Sequence, residues 1–430
     1  MPDTERPNIL LITTHDTGRQ IGCYGWPVDT PHLNRLAGEG MRFDNYFCTA
    51  PQCSPSRASI TTGRYPHSNG MMGLLGYGGW ELPDSDETLA KALRQAGYST
   101  HLWGFQHEHN DAAAIGYTRE HIPRERGEVP KILARYVTPR LCRWLEESPE
   151  GPWFASVGFY ENHIPFPKSP TPPEVLERIC PLPYLPDHPA IRQDLAQFYR
   201  MVQTTDRSVG DILESLAQSG QEENTIVIFT TDHGIAFPRA KCNLFDAGIG
   251  TALLMRWPGE LAQNRVVSDL LSNVDLMPTL LEMVEAPVPD GVQGRSFAGL
   301  LRGGDYRPRE QIYSELTWHT EYDPTRSIRT NRYKLIRHFD PIPGNLQPKD
   351  YWNCCAGSEY LSPMFEGKWP ERALYDLAVD PHEQHNLSGH HGYRRLEREL
   401  ESRLREWMQR TGDPLLEGSV PTPESMEGSG

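Results

Sequence analysis

The run Thr225-Ile226-Val227-Ile228-Phe229-Thr230-Thr231 is the most strand-like in the chain, and it ends directly on Asp232-His233-Gly234. Asn8 to Thr14 repeats the pattern: a continuous apolar stretch that turns polar and is followed by His15-Asp16. A strand that is apolar at every position, rather than at alternate ones, is buried on both faces, as in a parallel sheet covered by helices. Open sheets of that kind place ligands beyond the carboxyl ends of their strands, where both acidic pairs fall. Trp153 to Phe159 is a further buried run, delivering Glu161-Asn162-His163, and Ser99 to Trp103 leads to His107. Ala252 to Trp257, closed by Pro258-Gly259, reads as another strand. Helical periodicity marks the stretch from Thr30-Pro31 through Leu36, then Glu87 to Ala96, Ile191 to Ala217 and Asp275 to Val284, the last with Pro278 near its start. Alternating strands and helices predict a doubly wound, mostly parallel α/β domain.

The character changes near Gly303-Gly304-Asp305. Short alternating runs follow (Gln311 to Leu316, Ser327 to Thr330, Tyr333 to Phe339), interrupted by a proline- and glycine-rich stretch from Asp340 to Pro370. Leu374 to Leu377, the turn Asp380-Pro381 and a charged helix from Tyr393 to Arg410 complete the pattern. The organisation expected is a catalytic α/β domain over 1–305, a smaller antiparallel α+β domain over 306–412, and a polar, proline-rich tail over 413–430 without fixed structure. A chain of 430 residues exceeds one compact core, in keeping with two domains.

Lysine and arginine total 42 against 57 acidic residues, a net charge of -15, which argues against nucleic-acid or anionic-membrane partners. An anionic substrate would need a local cluster of positive groups. Charges at Asp3, Glu5 and Arg6 beside a short apolar run do not make a signal peptide, and no later stretch is long enough to cross a bilayer, so the cytoplasm is expected. The eight cysteines show no C-x-x-C pair and no repeated spacing, which fits reduced thiols better than a disulfide framework.

Four strand ends therefore deliver His15-Asp16, His107, His163 and Asp232-His233 to the same kind of position. A lone histidine is more often a hydrogen-bonded surface or core residue than a ligand. Their coincidence points to one site. The run Cys53-Ser54-Pro55-Ser56-Arg57 adds a cysteine and an arginine four residues apart, one turn on a helix.

C-x-P-x-R running into Thr62-Gly63-Arg64 and Pro66-His67 resembles the signature of the formylglycine-dependent sulfatases, in the alkaline-phosphatase-like superfamily. RPNILLI, TTDHG with a lysine shortly after, RWPG, VDLMPTLL and LYDLAVDPHEQHNL fall in the same order over most of the chain. CSPSRAS and DHGIAFPRAKCNL look most like the heparan N-sulfatase (sulfamidase) branch. The resemblance implies maturation by a formylglycine-generating enzyme that oxidises Cys53 to an aldehyde, whose hydrate attacks with one hydroxyl and expels sulfate with the other. It implies that Asp16, Asp232, His233 and the modified Cys53 surround one divalent metal, Ca²⁺ by family, with Mg²⁺, Mn²⁺ or Zn²⁺ also suited to such ligands. Arg57 and Lys241 are implied to hold the sulfate, and His107 and His163 to carry protons. The substrate implied is a small anionic one, a sugar or aryl sulfate cleaved at an S–O or S–N bond.

Two departures stand out. His15 replaces an aspartate at the first metal position, as a ligand or as a hydrogen-bond partner of its neighbour. Phe105 replaces a lysine two residues before His107, removing a cation, for which Arg239, His109 or Lys241 are candidate substitutes. The departures leave open a phosphonate monoester or phosphodiester hydrolase of the same superfamily. A non-catalytic relative binding a sulfated glycan is the third reading, and the intact cysteine signature argues against it.

Overall fold

A computed structural model describes residues 6–121 and 132–427. Asp3, Glu5 and the last three residues of the expected tail lie outside them. The chain lays down β1 (Asn8–Thr14), β2 (Met41–Phe43), β3 (Tyr46–Phe47), β4 (Ser99–Gly104), β5 (Arg119–Glu120), β6 (Trp153–Phe159), β7 (Thr225–Thr231), β8 (Leu253–Arg256), β9 (Arg265–Val267) and β10 (Leu271–Ser272). All but β3 and β10, which pair with each other, join one sheet in the order β5-β4-β6-β1-β7-β8-β2-β9. β1 is flanked in parallel by β6 and β7, with Ile12 opposite both Val157 and Phe229. β8 runs antiparallel to both its neighbours.

Helices α1 (Pro31–Glu39), α2 (Cys53–Thr62), α3 (Leu89–Gln95), α4 (Ala134–Glu146), α5 (Pro189–Gln218) and α6 (Leu276–Met283) cover the sheet. Successive strand residues point to opposite faces. Leu10, Ile12, Val227 and Phe229 accordingly pack with Leu33 of α1, Leu141 of α4 and Phe198 of α5. Ile9, Leu11, Ile226 and Ile228 pack with Ile60 of α2, Leu93 of α3 and Leu280 of α6. Both faces are buried, which is why these strands carry no alternation. Each such side chain contributes about 1.5–3 kcal/mol on burial.

The sequence reading had no counterpart for α4. Pro139 lies inside it, and an interior proline is the strongest helix stop. Val137, Leu141 and Leu145 nevertheless recur at one-turn spacing and are all buried, so the amphipathic stripe prevails. α3 starts at Leu89 rather than Glu87, because the Thr88 side chain accepts from the Lys91 N–H at 3.2 Å and caps it.

The second sheet is antiparallel, β11 (Gln311–Trp318), β12 (Tyr322–Thr330), β13 (Tyr333–His338) and β14 (Arg372–Asp376) in sequential order. The proline-rich stretch before β14 folds into short helices, among them α7 (Lys349–Cys354). α8 (Arg394–Thr411) sets Leu400, Leu404 and Trp407 against Tyr313, Ile328 and Leu374 of that sheet. Lys334 of β13 reaches back to Asp246 at 2.5 Å and Glu383 at 2.9 Å.

The stretch from Asp413 differs from its expectation. Asp413 accepts from Arg326 through both oxygens, at 2.6 and 3.0 Å, Val420 is buried, and Pro423–Glu427 is helical. The polar composition that read as disorder supplies the counter-charge for a buried guanidinium. All eight cysteines are free. Among the described residues no helix is long and apolar enough to cross a membrane.

Candidate active site

Because β6, β1 and β7 are adjacent and parallel, their carboxyl ends bring His163, His15-Asp16 and Asp232-His233 together. Asp16 sits at φ 45°, in the left-handed region that aspartate tolerates better than most residues, and its N–H donates to Asp232 Oδ1 at 3.0 Å. Asp232 Oδ1 also accepts from the His233 N–H at 2.8 Å. Opposite them, Cys53 is the first residue of α2. The Ser56 hydroxyl donates to the Asp232 carbonyl, and Asn273 donates to Ser56 Oγ at 3.0 Å, tying the start of α2 to the end of β7.

Cys53 Sγ lies 3.4 Å from His233 Nε2 and 3.8 Å from His15 Nδ1. The Nδ1 atom of His233 is 2.8 Å from the Gly234 carbonyl, to which it donates, and Nε2 faces Asp16 Oδ1, 3.0 Å away. Burial opposes the imidazolium, but Asp232, Asp16 and Cys53 hold His233 well above its usual value. One donor atom from each of His15, Asp16, Cys53, Asp232 and His233 lies within 4.8 Å of all the others. Two fully buried carboxylates beside an imidazole nitrogen suit a divalent cation with mixed oxygen and nitrogen ligands. His15 Nδ1 is 2.7 Å from Asp16 Oδ1, while its Nε2 is buried without a partner.

Opposite charges outweigh burial at most of these groups. Burial opposes ionisation of Cys53, but His15, Lys241 and His233 hold its thiol well below the usual value. Burial likewise opposes ionisation of Asp16, and Lys241 with His15 and His233 holds it well below the carboxylate range. His15 goes the other way: burial would lower it, and Cys53, Asp232 and Asp16 raise it to about 9. His163 is the exception, lowered to about 4 by burial and then by Lys241.

Arg57, one turn into α2, donates from Nε to Asp232 Oδ2 at 3.0 Å, and one of its terminal nitrogens is buried without a partner. Lys241 Nζ lies 2.8 Å from Asp16 Oδ2 and 3.4 Å from His163 Nε2. The His107 side chain reaches Cys53, where it helps to lower the thiol, and its ring is 6.5 Å from that of His15. The Phe105 ring lies 5.1 Å from the Arg57 guanidinium carbon and 5.1 Å from the His15 ring, so it forms a wall of the site. Of the candidate substitutes for the missing cation, only Lys241 is in place. Arg239 stacks on Phe245 at 4.3 Å, and His109 pairs with Asp84 at 2.8 Å.

Two residues enter that the sequence reading did not include. Asp350 of α7 places Oδ2 3.0 Å from Lys241 Nζ and 3.8 Å from His163 Nε2. His319, just past β11, is buried, and burial followed by Lys241 lowers it to about 4. Neither lies in a motif or at the end of a parallel strand, so no local signal marks them.

The sulfatase family model matches residues 7–286, and a model described as N-sulphoglucosamine sulphohydrolase, C-terminal, matches 237–345. The chain belongs to the sulfatase family. Within it, the C-terminal match and the relatives place it with the sulfamidase-like members, and it is a hydrolase of sulfate-ester or sulfamate bonds. An ulvan-active sulfatase of Formosa agariphila is 30% identical over 95% of this chain and 76% of its own. The human N-sulphoglucosamine sulphohydrolase is 29% identical over 95% of this chain and 91% of its own. A solved structure in complex with its substrate D-glucosamine-2-N,6-O-disulfate has a TM-score of 0.75 at 20% identity, over 98% of this chain and 100% of that one, a likeness of fold.

Proposed function

We propose that the protein releases sulfate from a small sugar or organic sulfate, as ester or sulfamate, using Cys53 oxidised to formylglycine and one divalent cation. The observation that carries this reading is the placement of Cys53 Sγ 3.4 Å from His233 Nε2, inside one cluster with Asp16 and Asp232. The named relatives, an ulvan-active sulfatase and an N-sulphoglucosamine sulphohydrolase, support a sugar sulfate.

Asp16, Asp232 and His233 would hold the cation, with the residue at 53 completing the set; Ca²⁺ is favoured by family, and Mg²⁺, Mn²⁺ or Zn²⁺ fit the mixed donors. When bound it neutralises sulfate oxygens and acidifies the attacking hydroxyl, which the hydrated aldehyde at position 53 supplies. His15 holds Asp16 through its 2.7 Å hydrogen bond, the role assigned to it here in place of a second aspartate. Arg57 is oriented by Asp232 and keeps an unpartnered N–H for the anion. Lys241 supplies permanent charge to the departing oxyanion. His163 is neutral at working pH and able to accept a proton at Nε2, and His107 is assigned proton donation to the leaving group.

The test is covalent as well as kinetic. The peptide carrying Cys53 is expected to react with an aldehyde-directed hydrazide and to weigh less than the thiol form. Cys53→Ala is expected to reduce aryl sulfate turnover to background with an unchanged melting temperature. Full turnover by protein whose Cys53 is all thiol would sink the mechanism, and faster cleavage of an aryl phosphodiester than of the aryl sulfate would sink the substrate class.

A further inference from the structure

Behind the loop that carries Lys241 lies a cavity of about 470 Å³, enclosed by the segment after β1, the β7–β8 connection and the turn after β14. Lys241 points toward Asp16 and Asp350, whereas Arg239, two residues earlier, points into this other space and donates to the Glu383 carbonyl. Arg239 holds a left-handed backbone, φ 63°, and its guanidinium lies 4.3 Å above the Phe245 ring. Arg19 enters from the opposite wall, fixed 4.5 Å over Phe47 and donating to the Tyr46 carbonyl at 2.9 Å. Among the described residues no carboxylate lies within ion-pair distance of either guanidinium. Asp44, Asp246 and Glu383 also line the cavity but are paired with other cations, Asp44 with Arg42, Asp246 with Arg329 and Lys334, and Glu383 with Lys334. Burial pulls Arg19 below its ordinary value, with Asp246 opposing it.

Polar groups on the same walls are also left over. Gln20 Oε1, Tyr184 Oη and Arg239 Nε are all buried and have no hydrogen-bond partner, and Gln20 is 4% exposed. All three atoms belong to residues that line the cavity. Trp26 and Tyr184 are half-buried on its walls and offer aromatic faces. Two unpaired guanidiniums recognise an oxyanion such as sulfate, the aromatic faces suit the apolar face of a sugar ring, and the amide and phenol suit its hydroxyls. The volume is that of a small-molecule site.

We infer that this cavity is a second, non-catalytic binding site for a sulfated sugar residue, held through Arg19 and Arg239. The choice of a sulfated sugar rests on the function proposed above; the existence of the site rests on the cavity alone. Glucosamine N-sulfate is titrated calorimetrically into Cys53→Ala protein, where turnover is blocked, with inorganic sulfate in a parallel arm. Two equivalents of the sugar sulfate are expected to bind. Arg239→Asn, which suits the left-handed backbone, is expected to weaken one of them at least tenfold and leave the other unchanged. Tyr184→Ala and Trp26→Ala, in the Cys53-containing enzyme, are expected to leave aryl sulfate turnover within twofold of the parent, and in the Cys53→Ala background each weakens the same equivalent. A crystal soaked with the sugar sulfate is expected to show it between Arg19 and Arg239. One equivalent only, unaffected by Arg239→Asn, overturns the site. Inorganic sulfate binding there as tightly as the sugar overturns the sugar assignment. Failure of the catalytic reading would appear separately, as a Cys53 that is never oxidised.

Discussion

Arg57 is held in the candidate site from two sides, by the Asp232 carboxylate at 3.0 Å and by the Phe105 ring at 5.1 Å. A cation over an aromatic face gains about 0.5–2 kcal/mol, depending on its exposure to water. Phe105→Leu keeps most of the volume and loses the ring, so kcat/KM for an aryl sulfate is expected to fall roughly 2- to 30-fold with little change in melting temperature. An unchanged kcat/KM would mean that Asp232 alone positions Arg57. Asp350 acts in the opposite sense, because its carboxylate shares Lys241 with Asp16 and repels an incoming anion. Asp350→Asn is expected to lower KM for the anionic substrate by roughly two- to fivefold, the scale of a partly exposed ion pair. A raised KM would instead make Asp350 a substrate contact. Residues tied to a strand end or to the cysteine motif, such as Asp16, Asp232, His163 and Arg57, were legible because a local signal fixes their place. Asp350 and His319 were not, because only closure of the second sheet region onto the first carries them to Lys241.

At the scale of elements, β1, β6 and β7 were readable because burial on both faces leaves a sequence apolar at every position. The short β2 and β9 carry too few residues for any period, and Pro139 masked α4. β12 contains a group whose cost no pattern reveals. Asp323 is 4% exposed and accepts from Thr325 at 3.2 Å and Gln347 at 3.3 Å, yet burial raises its carboxyl from 3.8 to about 7. Below the unfolded value it is protonated in both states and carries no penalty. Between 3.8 and about 7 the unfolded chain releases its proton while the fold retains it, so stability falls as pH rises and the loss is complete above the folded value. At about 1.4 kcal/mol per unit the ceiling is roughly 4 kcal/mol. Asp323→Asn removes the charge, and its amide can donate to Gln347 Oε1, which is buried and unpartnered, once the Gln347 amide turns over. Its melting temperature is expected to match the parent near pH ~4 and to exceed it by about 2–4 °C near pH ~8, given about 1 °C per kcal/mol in a chain of this length. A difference that does not grow with pH would show that Asp323 titrates normally.

At the scale of the whole molecule, the chain's last segment closes over the second sheet. Arg326 is fully buried, with Nη1 donating to the Leu316 carbonyl at 2.8 Å and the Thr325 carbonyl at 3.0 Å. Its Nε and Nη2 are taken by Asp413, and Glu315, which is also bonded to His67, stands 3.7 Å from Nε. Ending the chain after Gly412 would strip two N–H donors of a buried cation at once. Breaking a buried pair by removing one partner costs about 3–5 kcal/mol, because the remaining charge stays desolvated. Ending it after Glu417 keeps Asp413 and the Leu415 N–H that donates to it at 3.1 Å. That shorter deletion loses the Val420 side chain and hydrogen bonds that include those from Trp318 Nε1 at 2.8 Å and to Tyr322 Oη at 3.0 Å, both on side chains that water reaches, and from the Glu424 N–H to the Gly78 carbonyl at 3.2 Å. The deletion after Glu417 is expected to lower the melting temperature by about 1–2 °C, and the deletion after Gly412 by about 4–7 °C. Asp413→Asn in the full chain separates charge from chain length, since the amide fills the same space without the counter-charge. It is expected to reproduce most of the larger loss. If both deletions and Asp413→Asn melt with the parent, the tail is dispensable and Arg326 is satisfied by Glu315 alone.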